Sequence, residues 1–458
     1  MNIRQDFAPG TSRRIAVVGA GISGLSAAWL LSRRHEVTLF EAEHRLGGHS
    51  NTVEAHGTPV DTGFIVYNEA TYPNLTALFA HLGVATRASD MSFAVSLDGG
   101  RLEYSGSGLR GLFAQPRNLA SPRFASMLKD LLRFYRQAPR DLPALGLASL
   151  DDYLDANGYG RAFRDDHLYP MAAAIWSTPA ADVGRYPAAA FVRFCDNHGL
   201  LQLTGRPAWR TVTGGSRNYV ARLRDDYRGT VAAGHAVTWI RRLAGGVFLR
   251  TRDGTEHAFD HVVIAAHADQ ALAMLEAPTA AERELLGAFR YSRNEAVLHS
   301  DARLMPRRRA AWSAWNYLAD RRGAAEPGET VSGGGKLCVT YWMNRLQHLP
   351  QERPLFVTLN PVAPPAEQAV AYRTTYRHPM FDARAMAAQA RLWSLQGEGG
   401  VWYCGAYFGA GFHEDGLQAG LAVAEALGGV RRPWTVAEES GRITLPGIPA
   451  LSPMREFA

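Results

Sequence analysis

A chain of 458 residues is too long for one simple core and is expected to form one large or two interleaved domains. Its 47% hydrophobic and 20% charged residues exclude a disordered low-complexity chain, and no apolar run approaches the length of about eighteen residues needed to cross a membrane. The net charge of +6 rests on arginine, since Lys129 and Lys336 are the two lysines, and the three scattered cysteines (Cys195, Cys338, Cys404) argue for free thiols rather than disulfides or a zinc site.

The first residues, MNIRQDFAPGTSRR, lack the apolar core of a secretory signal, so a cytoplasmic location is expected. Ile15–Val18 then reads as a strand buried on both faces. It runs into Gly19-Ala20-Gly21-Ile22-Ser23-Gly24, and Ile22, Leu25, Ala28, Trp29 and Leu31 recur at helical spacing before a second strand, Glu36–Glu41. Gly19 permits the tight turn, Gly21 lets backbone approach a pyrophosphate, and Gly24 lets the helix pack on the strand. Phosphates are drawn to such a helix N-terminus, and Glu41 stands where a carboxylate accepts ribose hydroxyls. Strand, glycine turn, helix, strand and acid in register specify a dinucleotide site, with Ala20, Ser23 and Ala42 as flanking contacts.

A second glycine pair follows, Gly47-Gly48 with His49, then Asp61-Thr62-Gly63-Phe64-Ile65. Residues 72–206 read as mainly helical, with Leu75, Leu78, Phe79 and Leu82 on one face and Met127, Leu128, Leu131 and Tyr135 on another. Within them Gly106-Ser107-Gly108-Leu109-Arg110-Gly111 formally repeats GxGxxG, but it follows no apolar strand and Pro116 interrupts what comes next, so it reads as a loop. No second, nicotinamide-binding domain is therefore expected. Thr213-Gly214-Gly215-Ser216 opens a helix, followed by strand signals at His235–Ile240, Val247–Thr251 and Asp260–Ala266. From Leu286 to Ala371 strands alternate with aromatics: Glu295–His299, Ala311–Leu318, Lys336–Trp342 and Leu355–Asn360. Gly333-Gly334-Gly335-Lys336 is not a P-loop, since no Ser or Thr follows the lysine and the next segment is a strand. Val401–Ala426 closes the order with a strand ending at Gly405, a glycine-rich loop and a small-residue helix beginning near Gly416.

The run Gly19–Gly24, Glu41, Gly47-Gly48 and Asp61-x-Gly63 resembles the flavoprotein superfamily of amine oxidases, phytoene-type desaturases and protoporphyrinogen oxidases. Within it the chain is most similar to a bacterial group of NAD/FAD-binding, amine oxidase-like proteins, through YPMAAAIWS, TVTGGSRNYV, SAWNYL, RHPMFD and YCGAYFGAGFHEDGLQAG. Some members of that group are associated with cyclopropane or methyl-branched fatty-acyl metabolism. The resemblance implies FAD and an α/β fold: a Rossmann-type, glutathione reductase-like FAD-binding domain built from 1–70, 208–285 and 390–432. It also implies an interleaved α+β substrate domain, 71–207 and 286–389, of mixed sheet plus helices, with an extended tail over 433–458. The largest cleft is expected to touch Gly19–Gly24, Glu41 and Gly416 together. Val237 would hold adenine through its backbone, Gly63, Phe64 and Ile65 would run beside the isoalloxazine, and the N–H groups of Leu417 and Gln418 would meet the flavin N1/C2=O edge.

Two departures move the chain from amine oxidases toward desaturases. Gly405-Ala406 replaces the usual Gly-Glu, and Glu295 stands where amine oxidases align a lysine near flavin N5. Glu295, with Tyr317 nearby in sequence order, is the expected catalytic residue, a carboxyl whose burial would raise its pKa. The expected activity is hydride removal from a C–H bond of an apolar, fatty-acyl or other lipid substrate; the alternatives are an amine oxidase, a redox-neutral isomerase or a non-catalytic flavin-binding protein. The residues name no electron acceptor. Peripheral contact with an anionic membrane is expected from the arginine excess, densest at Arg307-Arg308-Arg309; no metal and no nucleic-acid partner is expected.

Overall fold

The computed structural model describes residues 11–146, 148–176, 183–197, 199–202, 205–320 and 336–446. β1 (Arg14–Val18) lies between parallel neighbours, β2 (Glu36–Glu41) on one side and His261–Ile264 on the other, which is why Ile15, Ala16 and Val17 are all fully buried. Thr230–Ala233 and Val401–Tyr403 complete a five-stranded parallel sheet as its edges. Its strands come from three stretches far apart in sequence.

α1 (Ile22–Leu31) is buried along its whole length. One side packs on the sheet; the other is covered by the C-terminal helix His413–Gly428, whose glycines allow contact at backbone distance. A Cβ on Gly420 would lie 2.2 Å from the Ser23 carbonyl oxygen, and one on Gly428 would lie 2.6 Å from the Leu31 side chain. A helix caught between a sheet and another helix has no polar face, so its sequence carries no charge and its two serines, Ser23 and Ser26, are buried. The chain after that helix turns back across it: Trp434 stacks on Trp29 at 5.9 Å, and Arg432, 2% exposed, pairs with Glu425.

The second sheet has seven strands, in the order Val370–Met380, Arg290–His299, Phe356–Leu359, Lys336–Trp342, Trp315–Asp320, Phe93–Leu97, Leu102–Ser105. All neighbours are antiparallel except Phe93–Leu97 beside Trp315–Asp320, so the sheet is mixed as expected. Two of its parts differ from the sequence reading. Residues 72–206 open with the expected helix, Pro73–His81, but strands follow, and the Asp98-Gly99-Gly100 turn, with φ of 52°, 66° and 87°, folds a hairpin of Phe93–Leu97 and Leu102–Ser105. The eleven-residue strand Val370–Met380 escapes notice because its polar edge sequence lacks an apolar alternation, although it pairs along all of Arg290–His299.

Helices cap this sheet, the longest being Pro122–Asp141, whose first turn is capped by the Ser121 hydroxyl accepting from Phe124 N at 3.2 Å. The GxGxxG decoy does follow a strand, Leu102–Ser105, but an antiparallel one, and only a single turn, Leu109–Leu112, comes after it; the loop reading holds. Lys336 opens a strand, and Gly333–Gly335 lie outside the described residues. The three cysteines are buried and free. Among the described residues no helix is long and apolar enough to cross a membrane.

Candidate functional site

The glycine turn is held from three sides. Gly19, at φ 103°, donates its N–H to the Phe40 carbonyl at 2.8 Å, Ala20 N donates to the Glu41 carboxylate at 2.7 Å, and Gly47 N donates to the Ala20 carbonyl at 2.8 Å. The glycine turn, Glu41 and the second glycine pair therefore form one unit. A Cβ on Gly24 would lie 1.8 Å from the Gly19 carbonyl oxygen, so Gly24 serves helix–strand packing; a Cβ on Gly21 would meet nothing within 4 Å. That open space at the end of α1, where the N–H groups of its first turn have no earlier carbonyl to bond, fits a pyrophosphate. Gly48 lies over Gly21, its would-be Cβ 3.1 Å from the Gly21 Cα. Ala42 is exposed beside Glu41; Val237 follows four residues after Ala233, the register partner of Glu41, and a bulge between Val237 and Trp239 interrupts the ladder there.

Asp61 anchors the segment that runs on to the flavin end. Its carboxylate, 1% exposed, accepts from Thr52 Oγ1 (2.6 Å), Ser216 N (2.9 Å), Ser216 Oγ (2.7 Å) and Gln347 Nε2 (2.7 Å), joining the Gly214-Gly215 turn to the substrate domain. Burial pushes its pKa up to about 6 in spite of these donors. The folded state thus holds this proton more tightly than the unfolded chain, whose value is 3.8, so Asp61 favours folding at acid pH and loses that contribution as the pH rises from about 4 to about 6. Asp61→Ala would strand its donors and should lower stability by about 3–5 kcal/mol, read as a fall in Tm; an unchanged Tm would show the anchor to be dispensable.

Phe64, which follows it, donates its N–H to the His49 carbonyl at 2.8 Å and stacks on His413, ring centroids 3.9 Å apart. His413 opens the C-terminal helix one turn before the expected start. Gly416 N already bonds the Phe412 carbonyl at 3.1 Å, so Leu417 and Gln418 spend their N–H groups inside the helix and do not reach the flavin edge. The donors at this end belong to His413, Glu414 and Asp415. Gly416 is a packing position: its Cβ would lie 2.8 Å from Ser23 Oγ and 3.0 Å from Ile22 Cγ2. Asp415 caps the helix through Phe412 N at 2.7 Å, and Glu414, fully buried, caps a neighbouring helix through Asn74 N and Leu75 N. Gly405 is buried just beyond the strand Val401–Tyr403.

A cavity of about 700 Å³ starts at His49, Thr62, Gly63, Phe64 and Ile65 and extends between the seven-stranded sheet and the helices. It does not touch Gly19–Gly24, Glu41 or Gly416, contrary to expectation. The cavity volume lies at the Gly63–Ile65 segment and beyond it, away from the glycine turn.

Neither expected catalytic residue lines this cavity. Glu295 is exposed and pairs with Arg373 at 3.3 Å on the far face of its strand, and Tyr317 is packed in the core two residues beyond Trp315, which does line the cavity. The inward residue is Asn294: a slip of one position in a strand moves a side chain to the opposite face. A polar chain of fixed direction runs through it. Glu295 N donates to Asn360 Oδ1 (3.0 Å), Asn360 Nδ2 to Asn294 Oδ1 (2.7 Å), and Asn294 Nδ2 to His378 Nδ1 (2.9 Å). His378 is thereby held with its proton on Nε2. Beside it Tyr376 shares a hydrogen-bonded group with Thr62 Oγ1 (2.7 Å) and Asn51 Nδ2 (3.1 Å). His378 and His267 are held neutral by burial, which pushes each down to about 4, as it does His413 to about 3; His49, at 5.6 Å from His378, is lowered further by these neighbours. Among the described residues no group of side chains is set to hold a metal. The sequence pattern held one clue to His378 and Tyr376, their spacing of two in RTTYRHPM, obscured by the missed strand.

Residues 22–345 match the family model of flavin containing amine oxidoreductases. The chain is similar to protoporphyrinogen oxidase 2, chloroplastic/mitochondrial, of Arabidopsis thaliana, 44% identical over 75 residues, 16% of this chain and 15% of that protein. It is similar also to coproporphyrinogen III oxidase of Mycobacterium tuberculosis, 28% identical over 303 residues, 61% of this chain and 65% of that protein. It spans less than two thirds of the length of either relative. Among solved structures, the CLA-producing fatty acid isomerase from P. acnes shares the fold, with a TM-score of 0.61 at 17% identity over 90% of this chain and 97% of that one. With its phosphate turn, ribose acid and second glycine pair joined as one unit, the chain belongs to the flavin containing amine oxidoreductase family, and its cofactor is FAD.

Proposed function

We propose that this protein is an FAD-dependent oxidoreductase that removes a hydride from a C–H bond of a fatty-acyl or similar lipid chain, as a desaturase does. The observation that carries this reading is the cavity wall beyond the flavin end. Leu112, Leu128, Leu131, Met171, Phe194 and Leu200 line it, and burial of an alkyl chain there contributes about 0.8 kcal/mol per CH₂. Among the described lining residues there is no carboxylate to receive a substrate ammonium, which disfavours the amine-oxidase alternative. Bound FAD supplies hydride acceptance at the substrate carbon. The chain's own groups would align that carbon and exclude water, with Tyr376 and His378, its proton on Nε2, as the polar side chains next to it. Anaerobic bleaching of the bound flavin by a fatty acid, with an alkene as product, tests the reading; a flavin reduced by amines and not by lipids would overturn it.

A second reading, the redox-neutral isomerase, is favoured by one feature. The imidazoles on the described wall are neutral and of lowered pKa, and His378 carries its proton on Nε2, so these rings offer no strong base, which suits a hydride returned to another carbon without net proton loss. Product formed without net bleaching or oxidant consumption would select it.

Delivery from an anionic membrane belongs to the same proposal. Leu109 and Leu132 line the cavity while 76% and 40% exposed, and Arg110, Lys129 and Arg136 are exposed beside them in sequence. The Arg307–Arg309 cluster is a weaker candidate, since Arg308 pairs with buried Glu103 and Arg309 lies over Trp312 at 4.4 Å. Cosedimentation with anionic vesicles should fall as salt is raised; binding indifferent to salt would count against it.

A further inference from the structure

We infer that the outer end of the cavity is a carboxylate-binding site, formed by Arg206 with Tyr135 and His167, that holds the head of a fatty acid while its chain runs inward to the flavin end. The inference rests on the lipid reading above and adds the head group and the direction of entry.

Arg206 is the single charged side chain among the described residues that line the cavity, and it is solvent-exposed, as a group at the mouth must be. Its Nε donates to the Gln202 carbonyl at 2.7 Å, which fixes the guanidinium plane and leaves the terminal nitrogens for a ligand. A planar fork of this kind matches a carboxylate. Tyr135 and His167 line the same cavity, and the Arg206 charge is felt at both.

His167 is placed by a local irregularity. Arg164–Leu168 forms a π-turn, a feature that inserts an extra residue into a helix and occurs often at functional sites. Its protonation pattern follows from its partners. Tyr104 gives its hydroxyl proton to the Asp166 carbonyl at 2.7 Å, so at 3.0 Å His167 Nδ1 must be the donor and Tyr104 the acceptor. Nε2 then accepts, and Tyr135 O–H, 3.4 Å away, is the donor it faces. That contact is long. A carboxylate drawn to Arg206 offers the Tyr135 hydroxyl a stronger acceptor, so the tyrosine can turn to the ligand with little loss. His167 itself stays neutral, because burial and the Arg206 charge push its pKa down to about 4.

Between this end and the flavin end the wall is apolar: Leu128, Leu131, Met171 and Phe194, with Phe194 stacked on Phe412 at 4.9 Å. A molecule with one anionic head and a long apolar tail matches that distribution, and an alkylamine or a neutral hydrocarbon does not.

The test uses the FAD-loaded protein and follows the flavin absorbance on titration with an octadecenoic acid and with its methyl ester. The acid should bind about 10- to 100-fold more tightly, the worth of hydrogen bonds to a charged group. Arg206→Gln should abolish that preference while leaving ester affinity within about twofold, and Tyr135→Phe should reduce the preference by a smaller factor. Equal affinities for acid and ester in the unaltered protein, a preference that survives Arg206→Gln, or no binding of either ligand would each overturn the site. The unaltered protein alone gives the first and last of these, whatever the folding of the variants. Failure of the desaturase reading looks different: the acid is preferred, yet no bleaching and no new double bond is seen, and the anchor stands.

Discussion

Gly24→Ala should give a protein that purifies without the yellow flavin colour and melts early, whereas Gly21→Ala should melt normally as apoprotein and still fail to hold FAD. The two glycines are three residues apart in one turn, but their surroundings differ. At Gly24 the added methyl would meet the Gly19 carbonyl oxygen at 1.8 Å and its carbonyl carbon at 3.0 Å, backbone atoms that cannot yield, and the Ala265 side chain at 3.0 Å. Forcing the helix from the strand costs about 3 kcal/mol or more and distorts the turn. At Gly21 nothing of the protein lies within 4 Å, and its φ of −70° suits alanine, so apoprotein stability should stay within about 0.5 kcal/mol. The methyl would instead occupy the space for the pyrophosphate, weakening FAD by about 100-fold or more, or roughly 3 kcal/mol. Thermal melts of the apoproteins and visible spectra after reconstitution measure both effects. Stoichiometric flavin in Gly21→Ala would remove the phosphate from this turn, and a native Tm in Gly24→Ala would remove the packing role.

The second large effect concerns the flavin end. His378→Ala and Tyr376→Phe should retain FAD and substrate but slow anaerobic flavin reduction by roughly 10²-fold, the scale of a lost proton-handling or orienting group. Glu295→Gln should change that rate by less than about twofold, because an exposed ion pair such as Glu295–Arg373 contributes little anywhere. Asn294→Ala offers an internal control: it removes the donor that holds His378 with its proton on Nε2, so it should alter the pH profile of reduction while leaving the histidine present. The opposite pattern, with Glu295→Gln slow and His378→Ala fast, would return the chemistry to Glu295.

The parts legible from sequence were those whose cause is local. The glycine turn, α1 and Glu41 fall within thirty residues, and each glycine's role is dictated by neighbours only a few positions away. Errors arose wherever a face or a partner was set from afar. The strand around Glu295 was recognised, but its phase depends on pairing with Val370–Met380, and a one-residue displacement exchanged Asn294 for Glu295. Tyr317 shares a face with Trp315 yet lies too deep to reach the cavity. The start of the C-terminal helix was misplaced by a turn because Gly416 was read as a ligand contact, when its small size serves Ile22 and Ser23. His167 carried no motif, since the π-turn that aims it breaks helical periodicity at that point.

The contact of Gly416 and Gly420 with α1 has a consequence for the order of biosynthesis. Roughly 400 residues separate the first turn of α1 from the helix that covers it. At about 5–20 residues per second a ribosome takes roughly 20–80 s to cover that distance. Throughout that interval the glycine turn exists, but the apolar far side of α1 and the His413–Asp415 donors that complete the flavin end do not. The nascent chain must therefore wait, with one helix uncovered, for a closing piece made about 400 residues later, and it is exposed to chaperones and proteases until then. Ribosome-bound chains arrested before residue 413 should hold no FAD, whereas chains in which residues 413–428 have emerged should take it up, so that cofactor capture follows the closing helix.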